Sequence, residues 1–149
     1  MAGARVGHAI VEPALTQAFD KVRDHFGMGR ISQIGAMVGL GDQAWLAKGK
    51  HRIDTGRARL AAIATANGLR PLPSATNSFT LDLVRDGDFA RRVPNECQTR
   101  GLFIRMPDVA PLGRCIRVSI GPEAALDVVA EVLPAALNAA LNSAGKVAG

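Results

Sequence analysis

Residues 77–84, "NSFTLDLV", alternate with period two: Phe79, Leu81 and Leu83 fall on one side, Ser78, Thr80 and Asp82 on the other. That alternation predicts a strand with one packed face and one wet face. Two runs downstream, "GLFIR" and "CIRVSI", predict strands that each carry an arginine, Arg105 and Arg117. In the second, Ile116, Val118 and Ile120 share a face, leaving Arg117 and Ser119 on the other. Elsewhere the apolar positions recur at helical spacing. Residues 12–27 predict a helix with Pro13 in its first turn, a stripe of Leu15, Ala18, Phe19, Val22 and Phe26, and a stop at Gly27. Residues 28–47 predict a second helix, loosened by Gly35, Gly39 and Gly41. Residues 52–68 predict a third, with Ile53, Leu60, Ile63 and Ala64 inward. A proline-punctuated connector spans 69–76. Residues 86–101 predict a helix through Phe89, Val93 and Cys97, broken at Pro94. Residues 121–144 predict a last helix with Leu126, Val129, Leu133, Leu137 and Leu141 buried and a kink at Pro134. A short strand over 4–11 opens the chain.

The second half thus reads strand, helix, strand, strand, helix, a small α+β layer with helices packed on a sheet. The first half reads one strand followed by long helices.

Composition narrows the function classes. The chain has 149 residues, 48% of them apolar, enough for a packed core. No apolar run approaches the ~20 residues of a membrane span, and the N-terminus lacks a signal-peptide pattern. No membrane partner is expected. Two cysteines, Cys97 and Cys115, fit a reducing cytoplasm. His8, His25 and His51 are scattered, so no metal site is expected. The net charge is +5, which raises nucleic acid as a partner. The arginines are dispersed and tyrosine is absent, so no stacking surface for bases is expected and nucleic acid is set aside. The glycines at 35, 39 and 41 match neither dinucleotide nor phosphate-loop spacing.

Arginine presents a rigid fork that pairs bidentately with carboxylate or phosphate. Arg105 and Arg117 stand on neighbouring runs joined by a short loop, and Arg117 leads into the start of the last helix, where anions are also favoured. The two arginines suit a small molecule with two anionic ends. Solvated or salt-bridged arginines give the same pattern.

The order "SATNSFTLDL", "GLFIRM", "CIRVSIGPEAALD" resembles the C-terminal small domain of class I/II aminotransferases, the fold type I enzymes that use pyridoxal phosphate, and histidinol-phosphate aminotransferases in particular. The resemblance implies that Arg117, in "IRVSIG", holds the substrate α-carboxylate. It implies that Arg105 helps hold the distal phosphate of histidinol phosphate. The opening "AGARVG" is similar to the segment after the cofactor lysine, which implies that Arg5 grips the cofactor phosphate. Residues 1–47 then correspond to the tail of the large domain and the start of the interdomain helices, and 48–149 to the rest of the interdomain helix plus the small domain. The implied partners are an amino acid, a 2-oxo acid and a second subunit. The family's Schiff-base lysine is expected about eight residues before Arg5, upstream of Met1. Lys21, Lys48, Lys50 and Lys146 are expected on helix surfaces, so this chain alone is expected to be inactive. The alternative is a non-catalytic module that binds a small anion or docks on a partner.

Overall fold

The computed structural model describes residues 2–143, and Ala144 and Lys146 of the sequence reading lie outside them. The chain divides into two compact units, Met1–Gly49 and Lys50–Gly149.

The first unit holds a 3-10 turn at Ala2–Ala4, helices α1 (Pro13–Asp20) and α2 (Arg30–Gly41), and the beginning of α3 (Gln43–Ala66). The expected strand at 4–11 does not form. A strand needs a partner edge, and this unit offers none among its described residues. Helix α1 also stops seven residues earlier than expected, at Asp20 rather than Gly27. Asp24 accepts the Phe26 N–H at 2.9 Å, a local turn that competes with the helix. The expected single helix over 28–47 breaks at Asp42, whose carboxylate accepts the Trp45 N–H and starts α3. Helix α3 then runs through the expected break near 48–51.

The apolar stripes of this unit stay in solvent. Phe26 is 94% exposed, Ile31 86% and Met37 75%, and Phe19, Ile34 and Trp45 are exposed with them. Contiguous apolar patches beyond a few hundred Å2 are rare on soluble monomers. The isolated chain is therefore expected to self-associate and to light up a hydrophobic dye in a concentration-dependent way. A dye-silent monomer by light scattering would contradict the exposed stripes.

The second unit is built on an antiparallel sheet of order β1 (Arg70–Pro71), β2 (Ser78–Asp82), β3 (Cys115–Ser119). In the β2–β3 ladder Phe79 faces Val118 and Leu81 faces Ile116, all buried, while Thr80 faces Arg117 on the other side. Helices α4 (Gly87–Gln98) and α5 (Glu123–Asn142) pack on each other. They share one core with Leu60 and Ala64 of α3 and with the sheet. Pro94 is accommodated inside α4. Asp86 caps the helix by accepting the Phe89 N–H at 2.7 Å, and Phe89, Ala90, Val93 and Cys97 are buried. Those gains offset the ~3 kcal/mol cost of an interior proline.

The buried stripe of α5 runs through Leu126, Val129, Leu133 and Leu137 as expected but ends at Ala140, leaving Leu141 40% exposed. Helix α5 also corrects the hydropathy reading. Its 20 residues, with mean hydropathy 1.6, are long and apolar enough to cross a membrane by length and composition. Six of them sit in the common core.

Candidate functional site

Arg117 lies in the middle of β3, where the neighbouring positions Ile116 and Val118 point into the core. The alternation leaves its side chain exposed on the outer face. The expected strand over 101–105 does not form. Only an isolated bridge pairs Arg105 with Arg117. The Arg105 N–H donates to the Arg117 carbonyl at 3.2 Å, and the Arg117 N–H donates back at 2.6 Å. On one side the ladder stops because Pro107, the next position that would bond to β3, has no N–H to offer.

That bridge fixes the geometry. Residues that exchange both backbone hydrogen bonds stand opposite each other, with Cα atoms about 5.5 Å apart and side chains on the same face. Thr80, Arg117 and Arg105 therefore form one row across the outer face. Two like charges directly opposite each other destabilise a sheet. Among the described residues neither guanidinium has a carboxylate partner: Arg117 makes no side-chain hydrogen bond, and Arg105 lies over the Phe103 ring, 5.7 Å from its centroid.

The other two arginines of the sheet are treated differently. Arg70 and Arg114 both donate to the same oxygen of Asp82, at 2.6 and 2.8 Å. Asp82 is only 2% exposed, although the alternation puts it on the outer face. Burial pushes its carboxyl up, but the Val84 N–H and the Arg114 and Arg70 guanidinium groups hold it below its ordinary value of 3.8. The sequence reading missed this cluster. Its signal was an acidic residue between Leu81 and Leu83, with Arg114 directly preceding the facing strand.

A carboxyl held low in the fold contributes stability above its ordinary value, and that contribution is lost as pH falls through the lowered one. Asp82→Asn should thus cost about 1–3 kcal/mol at neutral pH, moderated because both guanidinium groups are half exposed. The difference from the parent should shrink as pH drops below 3.8. Denaturant midpoints across that range check it, and a difference independent of pH would contradict the assignment.

Arg5 lies in the first unit. Its backbone sits at φ 49°, in the left-handed region, and open space surrounds the Cα positions of Gly3 and Gly7 on either side. Arg5 is an exposed residue with glycines two positions away on either side, and an arginine there suits a phosphate. Lys21, Lys48 and Lys50 are exposed. Both cysteines are buried, and burial raises their thiols, that of Cys97 to about 11. They serve as small core residues. A cleft of about 390 Å3 opens between α3 and the start of α5, beside Arg52 and Arg59. Arg59 is already engaged by Asp127 and by the Glu123 carbonyl.

Comparison with known proteins shows what the chain is similar to. The family model for aminotransferase class I and II matches residues 1–133. The chain is 29% identical to histidinol-phosphate aminotransferase 1 of Cupriavidus pinatubonensis, covering 81% of this chain and 32% of that protein. It is 31% identical to histidinol-phosphate aminotransferase of Geotalea uraniireducens, covering 89% of this chain and 38% of that protein. The crystal structure of histidinol-phosphate aminotransferase from Sinorhizobium meliloti in complex with pyridoxal-5'-phosphate superposes with a TM-score of 0.89. Identity is 44%, over 93% of this chain and 38% of that chain. The chain thus spans about a third of the length of the curated relatives it matches.

Proposed function

This chain belongs to the class I and II aminotransferases, and from that membership we propose that it supplies the substrate-holding part of a pyridoxal-phosphate-dependent aminotransferase of the histidinol-phosphate type. The observation that carries the reading is the cross-strand pair of Arg105 and Arg117, two like charges opposite each other with no carboxylate partner among the described residues.

Arg117 binds the α-carboxylate of the amino acid or 2-oxo acid through its fork. The flat pairing fixes the rotation of the substrate about that end. Arg105, on the same face, takes a second anion at the far end of the substrate. Arg5 holds the phosphate of the cofactor, a role its donor chemistry and open glycine flanks fit. When bound, pyridoxal phosphate supplies the electron sink that lets an amino group move. The chain contributes binding and orientation, and the proposal gives none of its residues the part of general base. The exposed stripes of α1 and α2 are the surfaces on which a large domain and a second subunit pack in this reading.

A chimera tests it. Residues 1–149 replace the matching 38% of the Sinorhizobium meliloti enzyme. The chimera should load pyridoxal phosphate and transaminate histidinol phosphate. A soluble, loaded chimera with no turnover counts against the reading. For the chain by itself, incubation with pyridoxal phosphate and borohydride should give only scattered labelling of Lys21, Lys48, Lys50 and Lys146. Stoichiometric labelling of one lysine in the native fold would show that the chain holds a Schiff-base site.

A further inference from the structure

We propose that Phe103 is a positioning residue whose ring holds the Arg105 guanidinium in place beside Arg117, so that the pair meets a doubly anionic ligand already ordered. The inference rests on the reading of Arg105 and Arg117 given above. Between 102 and 106 the chain alternates. Leu102, Ile104 and Met106 pack on the core, while Phe103 and Arg105 point the other way. Phe103 is 70% exposed, so core packing does not account for it. The Arg105 guanidinium carbon stands 5.7 Å from the ring centroid, within cation–π reach.

The chemistry of the hold matters more than its strength. Arg70 and Arg114, at the same sheet, are fixed by the Asp82 carboxylate, whose single charge offsets part of theirs and occupies their donors. An aromatic face orders a guanidinium and leaves its positive charge and most of its donors available. Arginine is rich in rotamers, and ordering it beforehand removes a cost otherwise met on binding. Phe103 thus gives Arg105 order without neutralisation. An apolar cover role for Phe103 makes the opposite demand, because leucine serves it as well.

The test uses the 149-residue chain with nitrogen-15-labelled arginine side chains. In the ligand-free protein the Arg105 Nε–H signal should be ordered in the parent and in Phe103→Trp, and mobile in Phe103→Leu. In titrations, Phe103→Leu should weaken 3-phosphoglycerate, which carries a carboxylate and a phosphate, about two- to fivefold. It should leave acetate affinity unchanged, and Phe103→Trp should restore the parent value. Equal order of Arg105 in the parent and the leucine variant overturns the proposal. So does a tryptophan variant that behaves like leucine. An Arg117→Lys chain that binds acetate as well as the parent faults the assignment of Arg117 instead, and the ligand-free signals still decide the role of Phe103.

Discussion

Arg117→Lys in the chimera is expected to lower kcat/KM by an amount equivalent to about 2–5 kcal/mol while pyridoxal phosphate loading stays at the parent level. Lysine keeps the charge but loses the planar fork, so the carboxylate loses its second parallel bond and its fixed orientation. Arg70 and Arg114 do not replace it, because both are committed to Asp82. The backbone bridge to Arg105 uses main-chain atoms only, so the substitution leaves it intact. Arg105→Ala should behave differently, penalising phosphate-bearing and acidic substrates and sparing neutral ones. Steady-state kinetics on one neutral and one anionic substrate separates the two. Equal losses on both substrates for both variants would contradict the division of roles.

Ile116→Ala should destabilise the second unit by about 2–5 kcal/mol. Ile116 is fully buried, faces Leu81 across the ladder and sits next to Arg117. Truncation removes its contacts and leaves a cavity that a three-stranded sheet under two helices fills poorly. A loss of that size is a large fraction of an ordinary domain's stability. Denaturant unfolding should show a lower midpoint with little change in slope. The folded fraction should still bind acetate at Arg117. A midpoint within error of the parent would mean that Ile116 is not part of the core.

The alternations at 77–84 and 115–120 were legible because a sheet with one packed face writes its period directly into the sequence. The faces of Phe79, Leu81, Ile116, Val118 and Arg117 follow from that period. The helices of the second unit were legible for the same reason, with Leu126, Val129 and Leu133 marking the inward side of α5. The first unit was read less well. Its strand and the tail of its first helix depend on neighbours, and periodicity reports a stripe whether or not anything covers it. Phe26 and Ile31 belong to good stripes and are in solvent. Asp42 was a readable start signal, three residues before Trp45, yet the glycine-rich run before it drew the boundary elsewhere. Arg105 and Arg117 were legible as a pair of arginines, but not that backbone bonds set them opposite each other. The burial of Asp82 was illegible, since period two alone puts it in water and only the convergence of Arg70 and Arg114 takes it out.

The most direct measurement is a crystal structure of the chimera with a bound amino acid. The account predicts both oxygens of its α-carboxylate within about 3 Å of the Arg117 guanidinium nitrogens, in the parallel bidentate arrangement. A carboxylate held by other residues, with Arg117 turned away to solvent, would contradict it.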